Sequence, residues 1–162
     1  MPYIKQDRRL EVDPIVGLMA VNDVIVQDLS YILLEFCKRS VNPSYNNYKN
    51  FCGELRQCAT EIERKVFRPL YDEAFELTIV CDIEQERREQ LEPIVELMIE
   101  KEIKVNGDLN YVLFKYCKFH VEPPYTSFKD FCGKLRRIAR DIEKDILAPY
   151  EDEKERENGS VY

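Results

Sequence analysis

The hexapeptide Phe51-Cys52-Gly53-Glu54-Leu55-Arg56 returns eighty residues later as Phe131-Cys132-Gly133-Lys134-Leu135-Arg136, and this recurrence decides the fold. Outward from it, Asp28-Leu29-Ser30-Tyr31 aligns with Asp108-Leu109-Asn110-Tyr111, and Cys37-Lys38 with Cys117-Lys118. Val41, Pro43 and Tyr45 return as Val121, Pro123 and Tyr125, and Pro69, Asp72 and Glu73 as Pro149, Asp152 and Glu153. Upstream, Pro14-Ile15-Val16 matches Pro93-Ile94-Val95 at an offset one residue shorter, which puts one extra residue in the second copy near Asn106-Gly107. A turn is where such an insertion is tolerated. The chain therefore reads as two diverged copies of one unit, residues 1–80 and 81–162.

Each copy reads as three helices. Asp13 or Glu92 before a proline signals the first, since proline at an initial helical position loses no needed donor. Ile15, Leu18 and Met19, or Ile94, Leu97 and Met98, then give its apolar stripe. Asn106-Gly107 reads as its stop in the second copy, with Asp108 as N-cap of the next helix. That second helix carries Leu29, Ile32, Leu33, Phe36 and Cys37, mirrored by Leu109, Val112, Leu113, Tyr116 and Cys117, and is expected to be the most buried. In the third, Phe51, Cys52, Leu55, Ala59 and Ile62 trace one face in steps of three and four, as do their counterparts eighty residues on. Pro69 and Pro149 are expected to kink or end that helix.

Composition agrees with an all-α class. Glycine is scarce at five, Trp is absent, and charged residues make up 34%, which suits helices with solvated outer faces. The formal charge of −7 argues against a nonspecific grip on nucleic acid, which draws its strength from Lys and Arg displacing counterions. Apolar runs such as Tyr31 to Leu34 are far too short to span a membrane. Cys37, Cys52, Cys117 and Cys132 sit in helical patterns and no export signal is visible, so reduced thiols and a cytoplasmic location are expected.

The join Leu77-Thr78-Ile79-Val80-Cys81 is rich in β-branched residues, unlike a flexible linker. It suggests a small β-ribbon in which both chain ends pair with this join. A fusion with no slack further predicts a pseudo-two-fold intramolecular dimer with one shared core, complete as a single chain.

Met1-Pro2-Tyr3-Ile4 opens the chain; Pro149-Tyr150-Glu151-Asp152-Glu153-Lys154 and Glu157-Asn158-Gly159-Ser160-Val161-Tyr162 close it, with Gly107-Asp108-Leu109-Asn110-Tyr111 between. In these motifs the sequence resembles an uncharacterised family of small phage and bacterial proteins, whose members carry an acid where Ser160 stands here. The first copy departs from the internal motif, with Gln27 and Ser30 at its glycine and asparagine positions. The resemblance brings no activity. It implies a mobile-element or prokaryotic source, and family members that are homodimers which this chain has fused.

Catalytic machinery has little support: His120 is the one histidine, and no nucleophile turn or phosphate loop of known spacing is present. Cys117 and His120 lack a second ligand pair for a metal, so no metal or other cofactor is expected. Glu61, Glu63, Asp141, Glu143 and Asp145 allow an alternative, a Mg²⁺-dependent all-α nucleotide hydrolase, although solvated carboxylates paired with Arg and Lys explain them more simply. For ligand binding the candidates are Asp108, Asn110 and Tyr111 at a helix start, Arg136 on the long helix, and Tyr150, Asn158 and Tyr162 near the C-terminus. A helix N-terminus and an arginine suit a small anion, and tyrosines can stack on a base. The plainer account makes Tyr31 and Tyr111 core aromatics and pairs the arginines with the abundant acids. The expectation is a non-enzymatic binding protein that sequesters or blocks a protein or small, possibly nucleotide, anionic partner, with a host-defence inhibitor as one version. A structural or assembly role stands beside it.

Overall fold

A computed structural model describes residues 4–67, 84–121 and 125–159. The first repeat contributes α1 (Gln6–Val21), α2 (Val26–Ser40) and α3 (Tyr45–Ile62), the last prolonged by a π-helical turn at Glu63–Phe67. The second contributes α4 (Gln85–Glu100), a kinked turn at Val105–Leu109 leading into α5 (Asn110–His120), and α6 (Tyr125–Ile142). A further π-helical turn, Glu143–Leu147, carries α6 without a break into α7 (Ala148–Asn158). The protein is all-α, a tandem duplication of a three-helix unit, and no strand occurs among the described residues. The proposed β-ribbon falls on the join and the chain ends, outside those residues. Among the described residues no helix is long and apolar enough to cross a membrane.

The helical periods translate directly into burial. Val12, Ile15, Val16 and Met19 turn one face of α1 inward, and Leu91, Ile94, Val95 and Met98 do the same for α4. Phe51, Leu55 and Ile62 of α3 lie fully buried against Phe131, Leu135 and Ile142 of α6, and the side chains of both repeats form one hydrophobic cluster. The small residues Cys52 and Ala139 let α3 and α6 come close enough for the Cys52 thiol to reach the Ala139 carbonyl at 3.3 Å. The helices run antiparallel, because Arg56 meets Glu143 while Arg136 meets Glu63.

Several local expectations are corrected. α1 and α4 begin eight residues before their prolines, leaving Pro14 and Pro93 inside the helices. Both prolines are exposed, so the carbonyl each deprives of a partner faces water, and the extra turns carry side chains that bind the other repeat. α4 does not stop at Asn106-Gly107. It ends at Glu100, where Glu102 adopts a left-handed φ of +51° and the Ile103 and Glu102 amides return to the Met98 and Ile99 carbonyls. α1 ends identically, with Asp23 at φ +49° and Val24 and Asp23 bonding to Met19 and Ala20.

Asn106 and Gly107 instead form a non-helical kink just before α5, where Gly107 takes φ +100° and the second copy absorbs its extra residue. Asp108 is consequently not an N-cap: its carboxylate reaches back to the Lys104 amide at 3.0 Å, as Asp28 reaches back to Ile25. Of the two prolines expected to kink or end the third helix, Pro69 lies outside the described residues and Pro149 does not end its helix. The π-helical turn just upstream shifts the hydrogen-bond register, so the proline enters near the start of α7 and the helix continues to Asn158.

Candidate functional site

The two repeats grip each other through exchanged pairs. Arg8 of α1 donates to Asp108 from Nε at 3.1 Å and from Nη2 at 2.8 Å, and to the Lys101 and Glu102 carbonyls at 2.7 and 3.1 Å. Its counterpart Arg87 of α4 donates to Asp28 and to the Asn22 and Asp23 carbonyls, at 2.6 to 3.2 Å. Each guanidinium thus neutralises a buried carboxylate and occupies the carbonyls left free at the opposite helix's C-terminus, where the helix dipole favours a cation. Both aspartates are 2% exposed. Tyr111 donates to Asp13 while Tyr31 donates to Glu92, so the arginine clamp and this tyrosine contact each occur twice with the repeats exchanged.

This interface consumes most of the residues that suggested an anion site. Asp108 is held by Arg8, Tyr111 by Asp13, and Arg136 by Glu63 and Thr60. Asn110 is buried at the start of α5, its side-chain nitrogen without an acceptor. Tyr150 packs edge-on against Tyr48 at 5.6 Å, and its hydroxyl donates to the Pro43 carbonyl. Asn158 lies exposed on α7, bonded to the Lys154 carbonyl, and Tyr162 is outside the described residues.

The carboxylates do not gather. Glu61 pairs with Arg64 and Lys65, Glu63 with Arg136, and Glu143 with Arg56, whose guanidinium holds the Glu143 carboxyl below its ordinary range. No group of three metal-ligating side chains occurs among the described residues. His120 is exposed and stacks on Tyr116 at 5.4 Å, away from the buried Cys117. Burial pushes the Cys37 and Cys117 thiols up to about 12, far from a reactive thiolate.

What the structure does bring together is a cleft between the repeats, with a volume of about 160 Å³. Phe36 and Val41 from the first repeat and Ile103 and Val105 from the second form its apolar part, while Ser40, Asn42, Asn47 and Asn50 form its polar part. Two side-chain bonds order the polar edge: Asn47 Nδ2 donates to the Asn42 carbonyl at 3.0 Å, and Asn50 Nδ2 to Asn106 Oδ1 at 2.8 Å.

The symmetric position in the other half is built differently. There Tyr116 replaces Phe36, and its hydroxyl extends to donate to the carbonyl of Val24, the counterpart of Ile103. His120 replaces Ser40 and lies over the Tyr116 ring. Asp130 replaces Asn50; one of its oxygens is buried without a partner, and burial raises its carboxyl above the ordinary range. A hydroxyl and an imidazole thus occupy space that a hydrogen and a hydroxymethyl leave open in the first half. The sequence signal lay in aligned positions of unequal size, Phe36 with Tyr116 and Ser40 with His120.

Fold and site together define an internally duplicated helical pseudo-dimer with a cleft between the repeats beside Phe36 and Ile103. The domain of unknown function DUF6899 matches residues 1–77 and again 81–161, so the chain belongs to that family and carries its domain twice. No curated protein and no solved structure matches the chain.

Proposed function

We propose that this chain is a non-enzymatic binding protein whose ligand seat is the cleft between Phe36 and Ile103. The observation that carries the reading is the cleft itself, set beside Phe36, where the second repeat has Tyr116 with its hydroxyl on the Val24 carbonyl. The cleft is open on the side of the exposed Ser40, Asn42, Asn47 and Asn50, and a hydroxyl such as the one Tyr116 carries in the second repeat would narrow it at Phe36. Apolar walls with a few ordered polar groups are the usual make-up of a small-ligand pocket. The pairing of Glu61, Glu63 and Glu143 with cations disfavours a Mg²⁺-dependent hydrolase.

In its fuller form the reading is of a phage or mobile-element protein that acts by occupancy, sequestering a small ligand in a host cytoplasm. Among the described residues, five buried free thiols suit such a reducing compartment. Native mass spectrometry of the protein purified from its natural cell tests the reading. The wild type is expected to retain a small molecule stoichiometrically, and Phe36→Tyr is expected to lose it. Equal retention by both proteins, or turnover of the molecule on adding Mg²⁺, would defeat the reading.

A further inference from the structure

Building on that reading, we infer that the cleft takes a neutral, single-ring heteroaromatic with an amino donor beside a ring acceptor, the edge that an aminopyrimidine such as cytosine presents. Size comes first. A dry cavity of roughly 150 Å³ lined by aliphatic and phenyl groups accepts benzene, and the cleft measures about 160 Å³ with Phe36, Val41, Ile103 and Val105 against it. The cleft is open on its polar side, so it encloses about one ring of a ligand.

The polar edge narrows the choice. A backbone carbonyl can only accept, so the bond from Asn47 to the Asn42 carbonyl fixes which end of the Asn47 amide is committed and leaves Oδ1 as an acceptor. Asn50 stands three residues on, on the same face of α3. Its amide is paired head to tail with that of Asn106, an arrangement that leaves one carbonyl and one amino group uncommitted whichever way the pair is written. The rim therefore offers a fixed acceptor next to a mixed donor and acceptor. An amide reads an amino group beside a ring nitrogen in this manner when asparagine pairs with adenine.

Charge decides the rest. The lining side chains are aromatic, aliphatic, hydroxyl or amide, and none carries a positive charge to neutralise a phosphate. A neutral base or nucleoside is thus favoured over the anionic ligand that the sequence suggested.

The test is isothermal titration of the full chain with cytosine, uracil, benzene and cytidine monophosphate. Cytosine is expected to bind wild type at least tenfold more tightly than uracil or benzene. Asn47→Ala should lose about tenfold of that affinity, which corresponds to about 1.4 kcal/mol. Phe36→Tyr and Ser40→His, each importing the other repeat's residue, should abolish binding while circular dichroism shows an intact fold. Benzene binding as well as cytosine, with loss in Phe36→Tyr, would overturn the ligand class and leave the binding reading standing. A preference for the monophosphate would overturn neutrality in the same way. If no probe binds, or binding ignores both cleft variants, the ligand class and the seat fall together.

Discussion

Replacing Arg87 with alanine removes the guanidinium that holds Asp28 and leaves the carboxylate buried. The lost contacts are those to both Asp28 oxygens and to the Asn22 and Asp23 carbonyls, the shortest being 2.6 Å to Asp28 and 2.7 Å to Asn22. The Ile25 amide still donates to Asp28, but one neutral donor does not offset burial of a full charge. Removing one partner of a buried ion pair costs about 3–5 kcal/mol, a large share of the 5–15 kcal/mol that holds a typical domain folded. Asp28→Asn is milder. It retains an oxygen for the Ile25 amide, and the partly exposed Arg87 keeps its two carbonyls and meets water, for a cost of about 1–2 kcal/mol. Asparagine needs no counter-charge, so Arg87→Ala with Asp28→Asn should be more stable than Arg87→Ala alone. Urea unfolding followed by far-ultraviolet circular dichroism measures all three, and Arg8→Ala should repeat the result at Asp108. A cost below about 1 kcal/mol for Arg87→Ala, or no rescue by Asp28→Asn, would refute the assigned role of the clamp.

Residues 1–77 carry both Arg8 and Asp28, hence both halves of the clamp, and are expected to form a homodimer when expressed alone; a folded monomer in sedimentation analysis would contradict the exchanged interface. Glu92 and Glu143 titrate below the ordinary 4.5 because Arg39 and Arg56 bind their charged forms; at Asp13 burial acts upward, but Lys115 and Tyr111 outweigh it and hold it below 3.8. Lowered folded-state values mean a contribution that is complete above the unfolded values and lost as pH falls through the folded ones. The thermal midpoint should therefore decline from about pH 5 downward, and a flat profile to about pH 3 would remove these pairs from the stability account. Gly107→Ala should destabilise by more than about 1 kcal/mol, because φ is +100° and the new Cβ would stand 2.9 Å from Ile4 Cγ2. Glu102→Gly should stabilise by about 0.5–1 kcal/mol by relieving a left-handed non-glycine residue; chemical denaturation that gave either change the opposite sign would contradict the backbone assignments.

The duplication, the three helices per copy and the inward stripes of α3 and α6 were legible in the sequence because each is a local or periodic property. Repetition of Phe51 to Arg56 marks the duplication, and steps of three and four residues mark the buried face whatever it packs against. The starts of α1 and α4 were misplaced because Pro14 and Pro93 are strong local punctuation, and only their exposed positions let the helices run through them. Candidate ligand groups such as Asp108, Tyr111 and Arg136 were visible as polar residues, but their partners Arg8, Asp13 and Glu63 lie 73 to 100 residues away. No local pattern encodes such a pairing; docking one repeat on the other does. The same holds for the cleft. Phe36 and Tyr116 differ by one hydroxyl in the alignment, and that hydroxyl acquires meaning only when Val24 and Ile103 are delivered across the pseudo-two-fold axis to meet it or to leave the space open.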